Sequence, residues 1–293
     1  MLLSQFFLLD CIVRDVPFSY TMFPVTTKAG SICYGAKDTI VQKANANDNI
    51  VAIITTPELA PMVDSNKGLV VHAQPDKLYF ELHNYMVHNQ KMILVNESFI
   101  SPNASIASTA IIGKHVIISD GVEISHNVQI EDNTIIGANT FIGQNVIIGA
   151  IGMQNIKVDD TFFNIRYAGG VKIGENCQIL ANAIIQKPYQ CFYTEIGSNT
   201  KISVKTSVGH GSVIGDNCLI AGNGTIAGNV IIGNDLWMGP SSTIADGLKI
   251  GNGVKIMLGS VVVNNLPDGA SVSGNFATDH MKQLKNHAKI NKL

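Results

Sequence analysis

Few side chains in this chain are equipped for catalysis, and three histidines stand out among them: His115, His126 and His210. His210 follows Val208 by two positions and His126 follows Ile124 by two, while His115 is one place further from Ile112. Imidazole takes and returns protons near neutral pH, as a general base must. The plain alternative for each is a solvated side chain at a turn. Spacings of 11 and 84 residues put the three in no evident register for zinc, so no metal site is expected. The chain has no Walker loop, paired-carboxylate motif or serine triad. The GxGxxxG strings at 209–215 and 222–228 precede no helix and are not a dinucleotide fingerprint. Five cysteines (Cys11, Cys33, Cys177, Cys191, Cys218) form no CxxC pair, which predicts reduced thiols and a cytoplasmic setting.

The elements that must position a histidine are set by a period of six. From Ile100 an isoleucine recurs at every sixth residue, through Ile106, Ile112, Ile118, Ile124, Ile130, Ile136 and Ile142 to Ile148, nine in all. The phase then slips. It resumes at Ile173, Ile179 and Ile185, slips again, and runs twelve more times from Ile196 through Val208, Ile214 and Ile250 to Val262. Neither a 3.6-residue helix nor a hairpin sheet needs such a repeat. A three-sided β-solenoid does: each side supplies one inward aliphatic, and Gly-Asn corners such as GAN, GQN and GDN make the turns. The 24 hexads predict about eight coils and a prism roughly 38 Å tall at a strand spacing of about 4.8 Å. Low charge (14%), few aromatics (6%) and 27 glycines agree with this mainly β body. A net charge of −2 without a basic stripe gives no case for nucleic acid.

Residues 1–98 lack the period. Ile50 to Thr55 reads as a strand, a helix follows Pro57, residues 68–72 read as a second strand, and Pro75-Asp76 opens another helix. This predicts a small α/β domain before a solenoid over 99–275 and a basic C-terminal helix over 276–293, capped by Asp279 and carrying Lys282, Lys285, Lys289 and Lys292. The opening MLLSQFFLLDCIV lacks a basic start, carries Asp10 and has no small-residue cleavage site, so it reads as a buried first element. No apolar run reaches the length of a membrane span. The first phase slip ejects a long loop, 153–170, with two Phe, an Arg and a Tyr, and reads as an active-site wall.

One coil is 18 residues, so Gly228 falls directly over His210 on the same face. A proton acceptor with a backbone N–H one coil away is what acyl transfer needs. From here the chain resembles the hexapeptide-repeat acyltransferases, and in its order of segments the UDP-3-O-acylglucosamine N-acyltransferases of lipid A (lipopolysaccharide) synthesis. The likeness spans the chain and is best from VIIGAIGMQN to SVGHGSVIGDNCLIAGNGTIAG. The family string I-A-H-N-V-x-I-G reads Val208-Gly209-His210-Gly211-Ser212-Val213-Ile214-Gly215 here. The resemblance implies a left-handed coil, His210 as general base, and Gly228 as the amide facing the thioester carbonyl. Departures are plain. A second family histidine falls at Gly247, preceded by Asp246; I-D-R-G is replaced by Ile185-Gln186-Lys187-Pro188; D-N before the catalytic histidine becomes Ser203-Val204. The loop motif G-F-G-Y reads Gly152-Met153-Gln154-Asn155, which makes Gln154 its substrate-binding candidate. The S-F-L that supplies an aromatic to uracil reads Cys33-Tyr34-Gly35, which gives that role to Tyr34. His126, in ISHN, matches the string well but precedes the loop, where the family has no catalytic residue.

The expectation is therefore a cytoplasmic homotrimer without a tightly bound cofactor. It would move an acyl group from an acyl carrier protein (acyl-ACP) or acyl-CoA thioester to the amine of a UDP-linked amino sugar. Two other readings fit the same residues: an acetyl-CoA-dependent N-acetyltransferase acting on a nucleotide-linked deoxyamino sugar, and a trimeric β-helix scaffold without activity.

Overall fold

A computed structural model describes residues 1–158, 160–274 and 280–290 of the chain. From Phe99 on, every hexad is a strand of two to four residues, and Ser271–Val272 adds one strand after the last of them. These strands stack as three parallel sheets of nine, eight and eight, the three walls of a parallel β-helix. Pairing follows the repeat: Ile124 lies between Ile106 and Ile142, and Ile214 between Ile196 and Ile232.

The inward aliphatics from Ile118 to Val262 form one continuous buried core, while Ile100 at the first coil stays 46% exposed. A second inward position lies two residues before each of them. Where it is Val116, Val122, Val128 or Val146 it adds to the core; at Thr140, Thr200, Thr206, Ser212 and Ser242 the hydroxyl bonds a carbonyl of the next coil. Thus Thr200 Oγ1 donates to the Gly215 carbonyl at 2.9 Å and Ser212 Oγ to that of Ala227 at 3.0 Å. Buried Cys218 occupies the same position with its Sγ 3.4 Å from the Gly233 carbonyl, a small polar residue in a small polar slot. The corners are turned by residues in the left-handed region, Asn217, Asn223 and Asn229 at φ 56–57° among them. Asn tolerates that region because its short side chain bonds locally. His115, at φ 57°, is one of these corner residues, which accounts for its odd phase.

The N-terminal unit is a five-stranded sheet built from β1 (Ile12–Arg14), β2 (Tyr20–Thr21), β3 (Ser31–Gly35), β4 (Ile50–Thr55) and β5 (Gly68–Val71), in the order β1-β5-β4-β3-β2. Two helices flank it, α1 (Asp38–Asn45) and α2 (Pro75–His88). The helix expected after Pro57 is corrected to a single 3-10 turn, Ala60–Met62, because Pro57 and Pro61 leave too few N–H donors for an α-helix. Helix α1 goes unread because its mean polarity hides Val41 and Ala44, its only fully buried residues. In the opening segment Leu3 and Phe7 are buried, whereas Leu8 and Leu9 face outward. Helix α3 (His280–Ile290) places Lys282, Lys285 and Lys289 at the surface; Asp279 and Lys292 lie outside the described residues. No helix among the described residues is long and apolar enough to cross a membrane.

Both phase slips leave the prism and fold back against the N-terminal unit. The first is not a plain loop: strands Asn155–Val158 and Thr161–Asn164 form an antiparallel hairpin. Ile165 and Ala168 from this segment, and Tyr189 and Cys191 from the second slip, share one core with Phe18, Ile32, Tyr79, Phe80 and Leu82 of the N-terminal unit. The two ejected segments thus tie the N-terminal sheet to the prism.

Candidate active site

Strand Ser207–Val208 ends two residues before His210, and strand Thr225–Ile226 two before Gly228. The same offset on the following coil, after Thr243–Ile244, gives Asp246. Backbone bonds hold these three corners in a column: Asn229 N–H donates to the His210 carbonyl at 2.8 Å, and Gly247 N–H to that of Gly228 at 2.9 Å. The imidazole turns toward the middle member. A Cβ placed on Gly228 would fall 2.7 Å from His210 Cε1, 2.8 Å from His210 Nε2 and 2.8 Å from Asp246 Oδ1. Only glycine leaves that volume open.

A neighbouring corner is built differently. In the column Ser198, Asp216, Asn234, Asn252 and Asp268, each side chain from Asp216 on accepts the N–H of the residue one coil below, at 2.7–2.9 Å. At the His210 corner that capping is missing, since Gly228 has no side chain and its own N–H has no protein acceptor among the described residues. An amide held rigidly and left unpaired is suited to a developing negative charge.

The ejected segments close the other side. A Cβ on Gly152 would lie 3.5 Å from His210 Cδ2, 3.1 Å from Gln186 Oε1 and 3.6 Å from the Tyr167 hydroxyl. Tyr167 fixes this stretch by accepting the Gln154 N–H at 3.1 Å. The loop is in turn pinned by α2. His83 Nε2 donates to the Arg166 carbonyl at 2.9 Å, Asn84 Nδ2 donates to the Asn164 carbonyl at 2.9 Å, and Asn84 Oδ1 accepts the Arg166 N–H at 2.8 Å. His83 is fully buried, and burial pushes its imidazole down to about 4, against weaker upward pulls from backbone partners at Arg166 and Tyr189. It is a neutral clamp, with Nδ1 accepting the Thr21 hydroxyl proton at 2.6 Å.

The result is a cavity of about 230 Å³ lined by Tyr34, Phe80, Gln154, Tyr189, Phe192 and His210, among others. It brings together Tyr34, Gln154 and His210, three residues 56 or more positions apart, with Gly228 beside its wall residue Asn229. Tyr34 also borders an adjoining, largely apolar cavity of about 340 Å³ whose lining includes Lys43 and Tyr79. Burial, then Asp76, raises the Tyr34 phenol above its ordinary range, so it acts as a neutral ring. The wall residues Tyr189 and Phe192 escaped sequence reading. Their signal was the 11-residue gap between Ile185 and Ile196, where six is the rule. A larger cavity, about 360 Å³ beside Val262 and Leu266 at the last coil, is lined by no titratable side chain.

The other histidines lie apart. His126 borders a different cavity beside Glu123 and Phe141, with Nδ1 3.3 Å from the Thr109 hydroxyl, and His115 Nδ1 lies 3.3 Å from the Asn96 carbonyl. No three potential metal ligands converge among the described residues.

No family model matches the chain, and no curated protein matches it in sequence. Solved structures do. A Francisella novicida UDP-N-acetylglucosamine acyltransferase is similar at 24% identity and a TM-score of 0.48, covering 66% of this chain and 72% of its own. A UDP-N-acetylglucosamine acyltransferase from Campylobacter jejuni is similar at 24% identity and a TM-score of 0.39, over 65% of this chain and 83% of its own. PerB from Caulobacter crescentus, solved with CoA and GDP-perosamine, covers 83% of this chain and 93% of its own at 15% identity and a TM-score of 0.25. At these values the likeness decides nothing about substrate, which rests on this chain's own site.

Proposed function

We propose that the chain is an acyltransferase that moves an acyl group from a thioester to the amine of a nucleotide-linked amino sugar. The observation that carries the reading is the His210 imidazole turned onto the open face of Gly228, beside an N–H with no protein acceptor, in a cavity that runs to Tyr34. In this reaction the amine nitrogen attacks the thioester carbonyl carbon. His210 Nε2 takes the proton that the nitrogen sheds, an effect of about 10²–10⁴-fold in general. The oxyanion forms against the Gly228 N–H. Collapse breaks the C–S bond, and the thiolate leaves with the proton returned by His210.

Tyr34, backed by Tyr79 at 5.1 Å and Phe80 at 5.8 Å between ring centres, offers a flat face for a nucleobase, and Gln154 a polar contact between it and the base. The sugar would lie over Gln154, the nucleotide toward Lys43. Exposed lysines of α3 suit an acidic donor such as an acyl carrier protein. Outward-facing Val213, Leu219, Ile231 and Trp237, near the level of the site, fit the packing of further copies in a homotrimer.

The test is mass spectrometry of products from UDP-3-O-acylglucosamine with a 3-hydroxyacyl carrier protein, and in parallel with acetyl-CoA, for wild type and His210→Ala. A mass gain of one acyl chain in wild type alone supports the reading, and the donor that gives it separates the carrier-protein and acetyl-CoA versions. Equal gain in both proteins would remove His210 from the mechanism. No gain with either donor rejects this acceptor.

A further inference from the structure

Asp246 is a residue the proposed chemistry does not require, yet it stands in the middle of it. Its Oδ1 and His210 Nε2 each lie 2.8 Å from one point, the vacant Cβ position of Gly228, so they are at most twice that distance apart. They form no ion pair or hydrogen bond with each other among the described residues, which keeps them more than 4.0 Å apart. A gap of this width between two acceptors is bridged by one donor atom carrying two protons. The carboxylate is offered on the Cβ side of Gly228 and does not cap its N–H, so the two groups serve different atoms of a substrate.

We infer that Asp246 is the specificity-determining residue that restricts the acceptor to an amine. The inference rests on the acyltransferase reading above and sharpens it. An amine donates one proton to His210 Nε2 and another to Asp246 Oδ1 while its lone pair faces the thioester carbon. A hydroxyl has one proton. Given to His210, it leaves the oxygen lone pairs facing a carboxylate, an unpaired charge that the site then has to bear. The proton donated to Asp246 stays on nitrogen and becomes the amide N–H. The one donated to His210 is transferred and leaves with the thiol, so the carboxylate selects and orients without itself exchanging a proton. The side chain is available for this because Gly247 N–H fixes its corner over Gly228, and because at φ 71° Gly247 turns the chain with nothing within 4 Å of its own Cβ position.

The test is titration calorimetry on the full chain with UDP-glucosamine and UDP-glucose, which differ in amine against hydroxyl at one carbon, for wild type and Asp246→Asn. A charge-assisted hydrogen bond gives wild type a preference for the amine of roughly 10- to 100-fold. Asp246→Asn should lose most of that preference, binding UDP-glucosamine more weakly than wild type and UDP-glucose at least as tightly, and this retained binding also certifies its fold. Equal affinity of wild type for the two sugars, or a preference that survives in Asp246→Asn, overturns the role of Asp246 and leaves the nucleotide-sugar reading standing. Binding of neither sugar by wild type overturns both.

Discussion

Gly228→Ala tests the centre of the site with one methyl group. The added carbon meets His210 Cε1 at 2.7 Å, His210 Nε2 at 2.8 Å and Asp246 Oδ1 at 2.8 Å, where ordinary contact begins at 3.4 Å. All three atoms are the ends of side chains, so they can swing away, and Gly228 is not at positive φ, so alanine suits the backbone. The cost in stability is therefore small, within about 1 kcal/mol, partly offset by the less flexible unfolded chain. The cost in rate is not. Displacing the base by a fraction of an ångström to an ångström lowers turnover by about 10²-fold, and losing it altogether by up to about 10⁴-fold. Gly209→Ala is the contrasting variant. Its methyl would strike the Ala227 carbonyl carbon at 2.4 Å and the Gly228 nitrogen at 2.5 Å, main-chain atoms of the next coil that cannot swing. It should destabilise by about 1–3 kcal/mol or more. Product formation by mass spectrometry and urea midpoints on both variants give the comparison: Gly228→Ala folded and inactive, Gly209→Ala unstable. Activity of Gly228→Ala within threefold of wild type would refute the placement of the imidazole, and a stability loss equal to that of Gly209→Ala would refute the claim that only side chains yield.

Three further outcomes are expected. His83 is neutral in the fold with its pKa pushed down to about 4, so the unfolded chain takes up its proton first as pH falls. Its contribution is thus full above about 6.5 and declines toward pH 4, by up to about 3 kcal/mol; His83→Gln should flatten that part of the urea-midpoint profile, and an unchanged slope would exclude the clamp as its source. Tyr34→Leu should weaken UDP binding roughly 5- to 150-fold by calorimetry, as loss of one base-stacking ring does, with the urea midpoint nearly unchanged; undiminished affinity would place the nucleotide elsewhere. Cys218→Ser should stay within about 1 kcal/mol of wild type, because its hydroxyl inherits the Gly233 carbonyl as Thr200 and Ser212 hold theirs; a loss of several kcal/mol would mean that the slot reads volume and not polarity.

The prism was legible in the sequence because its contacts are set by a constant offset. Knowing that Val208 points inward is enough to place His210, Gly228 and Asp246 in a column. Nothing comparable announces that Tyr34 and Gln154 meet His210, since that meeting depends on how two ejected segments pack on a separate sheet. Tyr189 and Phe192 were silent for the same reason, and only the irregular gap before Ile196 marked them. In the N-terminal unit α1 was hidden by its polarity, and the turn after Pro57 was overread because a proline starts a helix as readily as it ends one.

The shared core of the ejected segments and the N-terminal unit has a consequence for how the protein is made. A coil stack is a nearest-neighbour object and can zip up from any nucleus, one rung at a time. The cavity cannot. Tyr34, Gln154 and His210 meet only once the sheet, the hairpin and the prism have all docked, so the site is the last part to mature. Lengthening or trimming the stack at its C-terminal end would leave it untouched, whereas a slip of a single residue in either ejected segment would scramble it. The repeat supplies a ruler, and the function is written at the two places where the ruler is broken.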